Sequence, residues 1–400
     1  MTSPDRTPDS TAGVATPAGA QGSTSNATPA ERSDADPKVT SAEGPVRSRG
    51  AGLLGSTLVR HAALVIAAYL GIVLLLELVS PFRGSQIGEL AYFVPAVAGL
   101  TVLTGLNGQI SLGHGALMAV GAYTTAVILE EQENLPFALV VLIAVVVTSL
   151  VGLLVGAAAA RLHGPYLAGA TLALAVGLPG LALTFKDRLG GEQGLSVRPP
   201  SSSVNFQNFI EGTLGWSLSS QKYMAYVGWM LTMIVLFVLS NLVVSRYGRV
   251  WRAVRDDEVA ASLAGINLGR ARVLAFVVSA ACAGVAGAMI AVITRLTAPT
   301  TFTIVLSISL LVGIVIGGLG SLVGAILGSI LLVFLRPEVT DLGLEQGLSA
   351  AQAANIAPLV YGVVLILVML LAPRGLVGSI RFAYLTRKAG RQMKAAQQSR

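Results

Sequence analysis

One run of residues in this chain of 400 places polar chemistry between two long apolar stretches: Gly105-Leu-Asn107-Gly108-Gln109-Ile-Ser111-Leu-Gly113-His114-Gly115. Amide, hydroxyl and imidazole groups sit there among glycines, which weaken any helix they interrupt. A broken helix at membrane depth is tolerated where it lines a cavity or is buried in protein. One reading makes Asn107, Gln109, Ser111 and His114 the wall of a substrate path, beside a freed helix end whose N–H groups can bind a carboxylate. The other makes the run a tight cytoplasmic turn between two spans, with Ser111 as an N-cap and His114 packed in the bundle. The residues leave both open.

A second constellation is Arg252-Ala-Val-Arg255-Asp256-Asp257-Glu258-Val-Ala260-Ala261-Ser-Leu-Ala-Gly265-Ile-Asn267. Acids open it, small residues fill its middle, and Gly265 falls where a left-handed cap stops a helix. This pattern predicts a short amphipathic helix outside the bilayer, whose small Ala260 and Ala261 face a partner's groove can grip. The plainer alternative is a charged loop lying on the head groups. A third feature is spacing: Gly313 and Gly317 are four apart, as are Gly320, Gly324 and Gly328, with Gly284 and Gly287 on the preceding span. Such rows let helices approach closely, within the bundle or against a second subunit.

No phosphate-binding loop, zinc-protease motif or nucleophile elbow occurs, so no catalytic residue is assigned. Cys282 is the one cysteine, which leaves no intramolecular disulfide and no cysteine metal cluster; no metal ligands are assigned. Within the apolar stretches the ionisable groups are Glu77, Glu89 and His114, and the two glutamates lie near span ends, where snorkelling explains them. That is little material for the relay of an ion-coupled carrier.

The elements that position these residues follow from composition. Hydrophobic residues make up 54% of the chain and charged residues 12%, about half the soluble norm. This excludes a soluble enzyme, a disulfide-stapled secreted domain and a disordered chain. An all-α polytopic membrane protein is expected, with about ten transmembrane helices, some broken or re-entrant, and a short cytoplasmic coupling helix. Apolar runs near the twenty residues needed to span hydrocarbon cover 61–80, 87–105, 110–130, 136–160, 166–185, 223–245, 273–293, 303–317, 321–336 and 356–372. The split of 303–336 rests on Gly317, Gly318 and Gly320.

Arginine placement orients the chain. Arg246, Arg249, Arg252, Arg255, Arg270 and Arg272 occupy the 246–272 loop, and Arg374, Arg381, Arg387, Lys388, Arg391, Lys394 and Arg400 the tail. With Arg47, Arg49 and Arg60, they predict cytoplasmic N- and C-termini and a cytoplasmic 246–272 loop. Acidic 131–135 and 337–355 then fall outside, with Arg83 and Arg295 as exceptions. Trp216, Tyr223 and Tyr226 fit an outer aromatic belt, Tyr247 and Trp251 an inner one. Residues 1–50 lack Phe, Trp, Tyr, Ile and Leu and have little to bury, which predicts a disordered tail over 1–55. No apolar segment marks that tail as a secretory signal, and its acids argue against a transit peptide. The membrane domain spans 56–380, with an outer loop at 186–222, and a basic tail covers 381–400.

These motifs resemble the LivM-type permease family, the membrane subunits of branched-chain amino acid ABC importers, over about residues 85–380. The 105–115 run resembles the family's most recognisable segment. Glu258, Ala260, Ala261 and Gly265 fall on the E-A-A…G pattern of ABC permeases. Gly190-Gly191-Glu-Gln-Gly194-Leu195 resembles T-G-G-x-x-G-L, with Leu189 where Thr is usual, and Pro373-Arg374-Gly375-Leu376-Val-Gly378 resembles P-x-G-L-x-G. The resemblance implies a multi-pass protein of the bacterial plasma membrane. Its partners would be a second related permease subunit, two cytoplasmic ATPase subunits, an extracytoplasmic substrate-binding protein and the lipid bilayer, without nucleic acid. ATP and Mg would be used by the partners, with no cofactor in this chain. Arg252, Arg255, Asp257, Glu258, Ala260, Ala261 and Gly265 would couple the chain to the ATPase. The rival classes are a stand-alone ion-coupled secondary transporter and a membrane enzyme or assembly factor.

Overall fold

The computed structural model describes residues 57–132, 135–162, 165–200, 212, 219–371, 375–379 and 386. The expected 1–55 tail, most of the 381–400 tail, and Trp216, Pro373 and Arg374 lie outside them. The helices are α1 (Thr57–Leu78), α2 (Pro81–Leu100) continued by a π-turn (Thr101–Leu106), α3 (His114–Glu131), α4 (Phe137–Ala159), α5 (Pro165–Thr184) and α6 (Lys186–Leu189). They continue as α7 (Ser220–Val244), α8 (Arg246–Asp256), α9 (Glu258–Leu263), α10 (Leu268–Thr294), α11 (Ile304–Gly317), α12 (Leu322–Glu345) and α13 (Ala350–Leu371). One two-residue antiparallel pair, β1 (Leu195–Ser196) with β2 (Leu296–Thr297), is the strand content among the described residues.

Among the described residues seven helices are long and apolar enough to cross a bilayer: α1, α2 with its π-turn, α4, α5, α7, α10 and α12; α11 is a shorter apolar helix. α3 and α13 occupy the other two apolar runs read from the sequence. The protein is therefore an all-α polytopic membrane protein. The 303–336 run is two antiparallel helices, and the second extends past 336, through Pro337, to Glu345. The expected 337–355 loop is correspondingly short, because helix resumes at Ala350.

Lipid gives helices no hydrophobic reason to associate, so close packing and polar contacts must hold them. α10 is the central mast, buried along most of its length and packed on α2, α3 and α4. Its small residues make the approach possible: a Cβ on Gly287 would overlap the Met118 carbonyl of α3, and one on Gly284 would lie 3.0 Å from Val145 Cα of α4. α11 and α12 form a hairpin whose seam is Gly313 against Gly328 and Gly317 against Gly324, where a Cβ on Gly317, Gly324 or Gly328 would overlap the facing backbone. Gly320 lies in the turn instead, at φ +81°.

Polar contacts supply the rest. Pro95 inside α2 has no N–H, so the Ala91 carbonyl four residues back loses its helical donor. Thr232 of α7 donates to that oxygen at 2.6 Å, and Trp229 Nε1 donates to the Ile87 carbonyl at 2.9 Å. α1 packs on α7 and is clasped at both ends, by His61 with Asn241 Oδ1 (3.1 Å) and by Glu77 with Lys222 (3.0 Å) and the Tyr226 hydroxyl.

Contacts between connecting segments fall into two sets. Arg83–Glu338, Glu77–Lys222 and β1–β2 join residues at one end of the bundle. Arg255–Gly105, Trp251–Ala271, His61–Asn241 and Gly375–Gly318 join residues at the arginine-bearing end. The alternation of spans counted from the sequence divides these segments the same way.

Candidate functional site

The helix of α2 does not stop cleanly. Its last turn widens to a π-turn, and the chain then leaves helical geometry from Asn107 to Gly113, with Gly108 at φ +78°, before α3 begins at His114. His114 lies beside Ser279 of α10, with Nδ1 and Oγ 3.4 Å apart. Ser279 is eleven residues into α10, about 16 Å along its axis. The segment therefore climbs from the arginine-bearing end to the middle of the bundle and is re-entrant, not a surface turn.

Its side chains alternate. Asn107, Gln109, Ser111 and His114 are buried within the chain, whereas Gly108 and Ile110 are exposed and Leu112 half-exposed. The four polar residues thus point into the bundle rather than onto an open wall. Asn107 Nδ2 donates to Gln109 Oε1 (2.9 Å), and Thr104 donates to the Gln109 carbonyl (2.9 Å). Ser111 Oγ accepts from the Gly113 N–H at 3.4 Å. Among the described residues Asn107 Oδ1 and Gln109 Nε2 are buried without a hydrogen-bond partner.

Three hydroxyls from three other helices stitch the segment in place. Thr171 of α5 accepts from the Leu112 N–H (3.0 Å), Ser307 of α11 accepts from the Gly115 N–H (3.0 Å), and Ser279 of α10 faces His114. The start of α3 is therefore engaged inside the chain, by Ser307 and by the Gly113 carbonyl, which accepts from Ala116 and Leu117. The glycines are contact points: a Cβ on Gly113 would lie 2.5 Å from the Thr171 carbonyl, and one on Gly115 2.8 Å from Ser307 Oγ. Thr171, Ser279 and Ser307 were not singled out from the sequence, since single hydroxyls in apolar spans carry no pattern. A cavity of about 390 Å³ between α3 and α5, lined by Val120, Tyr123, Leu178 and Leu181 among others, contains none of the four polar residues.

The arginine loop is two helices. α8 buries Gly248, Trp251 and Val254 and turns Arg246 and Arg249 outward. Trp251 is fully buried and donates to the Ala271 carbonyl at 3.0 Å, fixing α8 to α10. Arg252 donates back to the Val243 carbonyl (3.2 Å). Asp257 caps α9, accepting from the Val259 and Ala260 N–H groups at 2.9 Å each. Gly265, at φ +81°, closes it: Gly265 donates to the Ser262 carbonyl and Ile266 to the Ala261 carbonyl, both at 3.0 Å. Glu258 pairs with the buried Arg272 of α10 at 2.6 Å, and Arg272 also reaches the Ala160 carbonyl beyond α4.

Within α9 the expected grip face divides. Ala260 is exposed, but Ala261 is 4% exposed and faces the protein. The reason is geometric: Ala261 lies between the Glu258–Arg272 tie and the closing Gly265 turn, so its side of the helix must face α10. The outward apolar residues are Val259, 69% exposed, and Leu263, 84% exposed.

On the opposite end, the glycine run 190–195 makes a tight turn. Gly190 and Gly194 both have φ near +72°, and the run feeds β1, which pairs with β2 after α10. Leu189, in the place where the resembling family has Thr, lines the α3–α5 cavity. Among the described residues no group of three or more His, Cys, Asp or Glu could hold a metal ion.

A bundle of apolar helices, interrupted at mid-depth by a buried polar segment and carrying a capped helix outside it, defines a multi-pass membrane permease. The chain belongs to the family of permease components of branched-chain amino acid transport systems, whose sequence profile matches residues 87–371. It is 32% identical over 297 residues to the high-affinity branched-chain amino acid transport system permease protein LivM of Salmonella typhimurium, covering 71% of this chain and 67% of that protein. LivM of Escherichia coli K12 is likewise 32% identical, over 298 residues. LivH of Salmonella typhimurium is 27% identical over 217 residues, 52% of this chain and 68% of that protein. No solved structure matches it.

Proposed function

We propose that the chain is a transmembrane permease subunit of an ATP-driven importer, forming part of the pathway for branched-chain amino acids or related small polar solutes. It works with a second, related permease subunit, two cytoplasmic ATPase subunits that use ATP and Mg, and an extracytoplasmic binding protein. It lies in the bacterial plasma membrane with both termini and the α8–α9 segment in the cytoplasm. This chain performs no bond chemistry.

The observation that carries this reading is α9: a capped helix outside the bundle, tied down through Glu258 and Ala261, with Val259 and Leu263 bare. Large apolar groups held out on a short, rigid helix suit a partner's cleft. The pathway belongs beside the re-entrant segment. Ile110 is exposed, and its backbone N–H and C=O find no partner among the described residues. Such groups do not face hydrocarbon, so this edge suits a water-filled route. The two atoms of Asn107 and Gln109 without a partner among the described residues each cost about 1–3 kcal/mol when dry, a penalty relieved in a second state that wets the segment. Two states biased by differential contacts are what an ATP-driven cycle needs.

The test is uptake in vesicles. The complete set of subunits should import solute only with ATP, and Leu263→Asp should abolish import and release the ATPase subunits while this chain still inserts. Import by this polypeptide alone, driven by a proton or sodium gradient, would establish the secondary-transporter alternative instead.

A further inference from the structure

Arg255 sits in the last turn of α8, three residues before α9 begins, and its side chain turns toward the bundle. Nη1 donates to the Gly105 carbonyl at 2.6 Å, linking α8 to the π-turn. Nε and Nη2 both hold Asp256 Oδ1, at 3.1 and 2.9 Å, which fixes the plane of the guanidinium. The aliphatic stem lies over Gly108: a Cβ there would be 2.9 Å from Arg255 Cγ. Nη1 also lies 3.4 Å from where a Cβ on Gly320, in the α11–α12 turn, would stand.

The Gly105 carbonyl is the right thing to hold. At a helix end the final carbonyls lose their partners. Here the residues that would supply donors are diverted: Gln109 donates to the Leu103 carbonyl, and the Ile110 N–H finds no partner among the described residues. A cation on such an oxygen makes a charge-assisted bond and also meets the negative end of the helix dipole. The bond fixes the point where helix gives way to the non-helical segment.

We propose that Arg255 is the positioning residue that transmits motion of the α8–α9 segment to the re-entrant segment 107–113, instead of a residue that contacts the ATPase. The α8–α9 segment then has two inward ties with different destinations: Glu258 to Arg272 and the α4–α10 base, and Arg255 to the α2 end beside the α11–α12 turn. A push on α9 moves the second while the first serves as the pivot. This inference rests on the importer reading above.

The experiment uses the assembled complex in proteoliposomes, measuring ATP hydrolysed per solute imported together with recovery of the ATPase subunits on purification. Arg255→Ala should retain the ATPase subunits and hydrolyse ATP at close to the native rate, while import falls about tenfold. Arg255→Lys, which keeps a donor for the Gly105 carbonyl, should recover most of the import. Asp256→Asn, which frees the guanidinium without emptying the site, should lose import by a few-fold, and Arg249→Ala on the exposed face should match the native complex. A native ratio in Arg255→Ala, or loss of the ATPase subunits from that variant, overturns the inference. Absence of ATP-driven import by the native complex overturns the importer reading instead.

Discussion

Thr232 shows how one residue can be explained by another 137 positions away. Its hydroxyl satisfies the Ala91 carbonyl, and that carbonyl is free because Pro95 lacks an N–H. Thr232→Val should therefore cost about 1 kcal/mol. In a Pro95→Ala background the helix supplies its own donor, so the same substitution should become close to neutral. A double-mutant cycle on unfolding midpoints in detergent checks this; equal effects in both backgrounds would refute the coupling. Arg295 holds the left-handed conformation at φ +58°, where a side chain costs about 1 kcal/mol. Arg295→Gly should raise stability by roughly that amount, read as a higher unfolding midpoint. The polar residues of the 105–115 run are legible in type, while their depth stays open between a broken helix and a cytoplasmic turn. Their direction is not legible: a period-two alternation that hides Asn107, Gln109 and Ser111 while exposing Ile110 needs hydroxyl donors and acceptors from α5, α10 and α11 to support it, and no local pattern marks those.

At the scale of elements, hydropathy found the long helices because run length is a direct measure of membrane thickness. It did not separate α8 from the charged loop around it, since three buried residues in eleven give a weak apolar signal, and only the Trp251–Ala271 contact fixes which face is inward. The α11–α12 hairpin makes the strongest prediction. Gly328→Val should insert into the membrane yet fail to fold, a loss of about 3 kcal/mol or more, because a Cβ there overlaps the Gly313 backbone. Gly169→Ala on α5, where a Cβ meets nothing within 4 Å, should leave yield and unfolding unchanged. Size-exclusion profiles of the two variants decide it. Glu258→Gln removes the carboxylate that pairs at 2.6 Å with an arginine whose side chain is 6% exposed. It should cost about 1–3 kcal/mol and show first as faster proteolysis or hydrogen exchange in α9.

For the whole molecule, the chain's one native cysteine is an asset. Cys282 is buried in the packed middle of α10, so single cysteines can be added against a silent background. Ile110→Cys and Leu112→Cys should react with a membrane-impermeant maleimide in the assembled complex, at rates that change with nucleotide, whereas Leu150→Cys on the lipid-facing side of α4 should not. Unreactive cysteines at 110 and 112 in every nucleotide state would mean that another protein covers this edge. Family membership adds a boundary to this picture. The profile match covers residues 87–371, so α1 lies outside it and is held on α7 by a clasp at each end.

The three stitches on the 107–115 segment also set a schedule for biosynthesis. Ser307 follows Gly115 by 192 residues, and a ribosome adding roughly 5–20 residues per second needs about 10–40 s to make that stretch. During that interval the nascent chain carries a polar break with its last clamp still unsynthesised. Early hairpins must therefore be held, by the insertion machinery or by lipid-accessible water, until α11 arrives, and truncation before residue 307 should leave an intermediate that quality-control proteases recognise at this site.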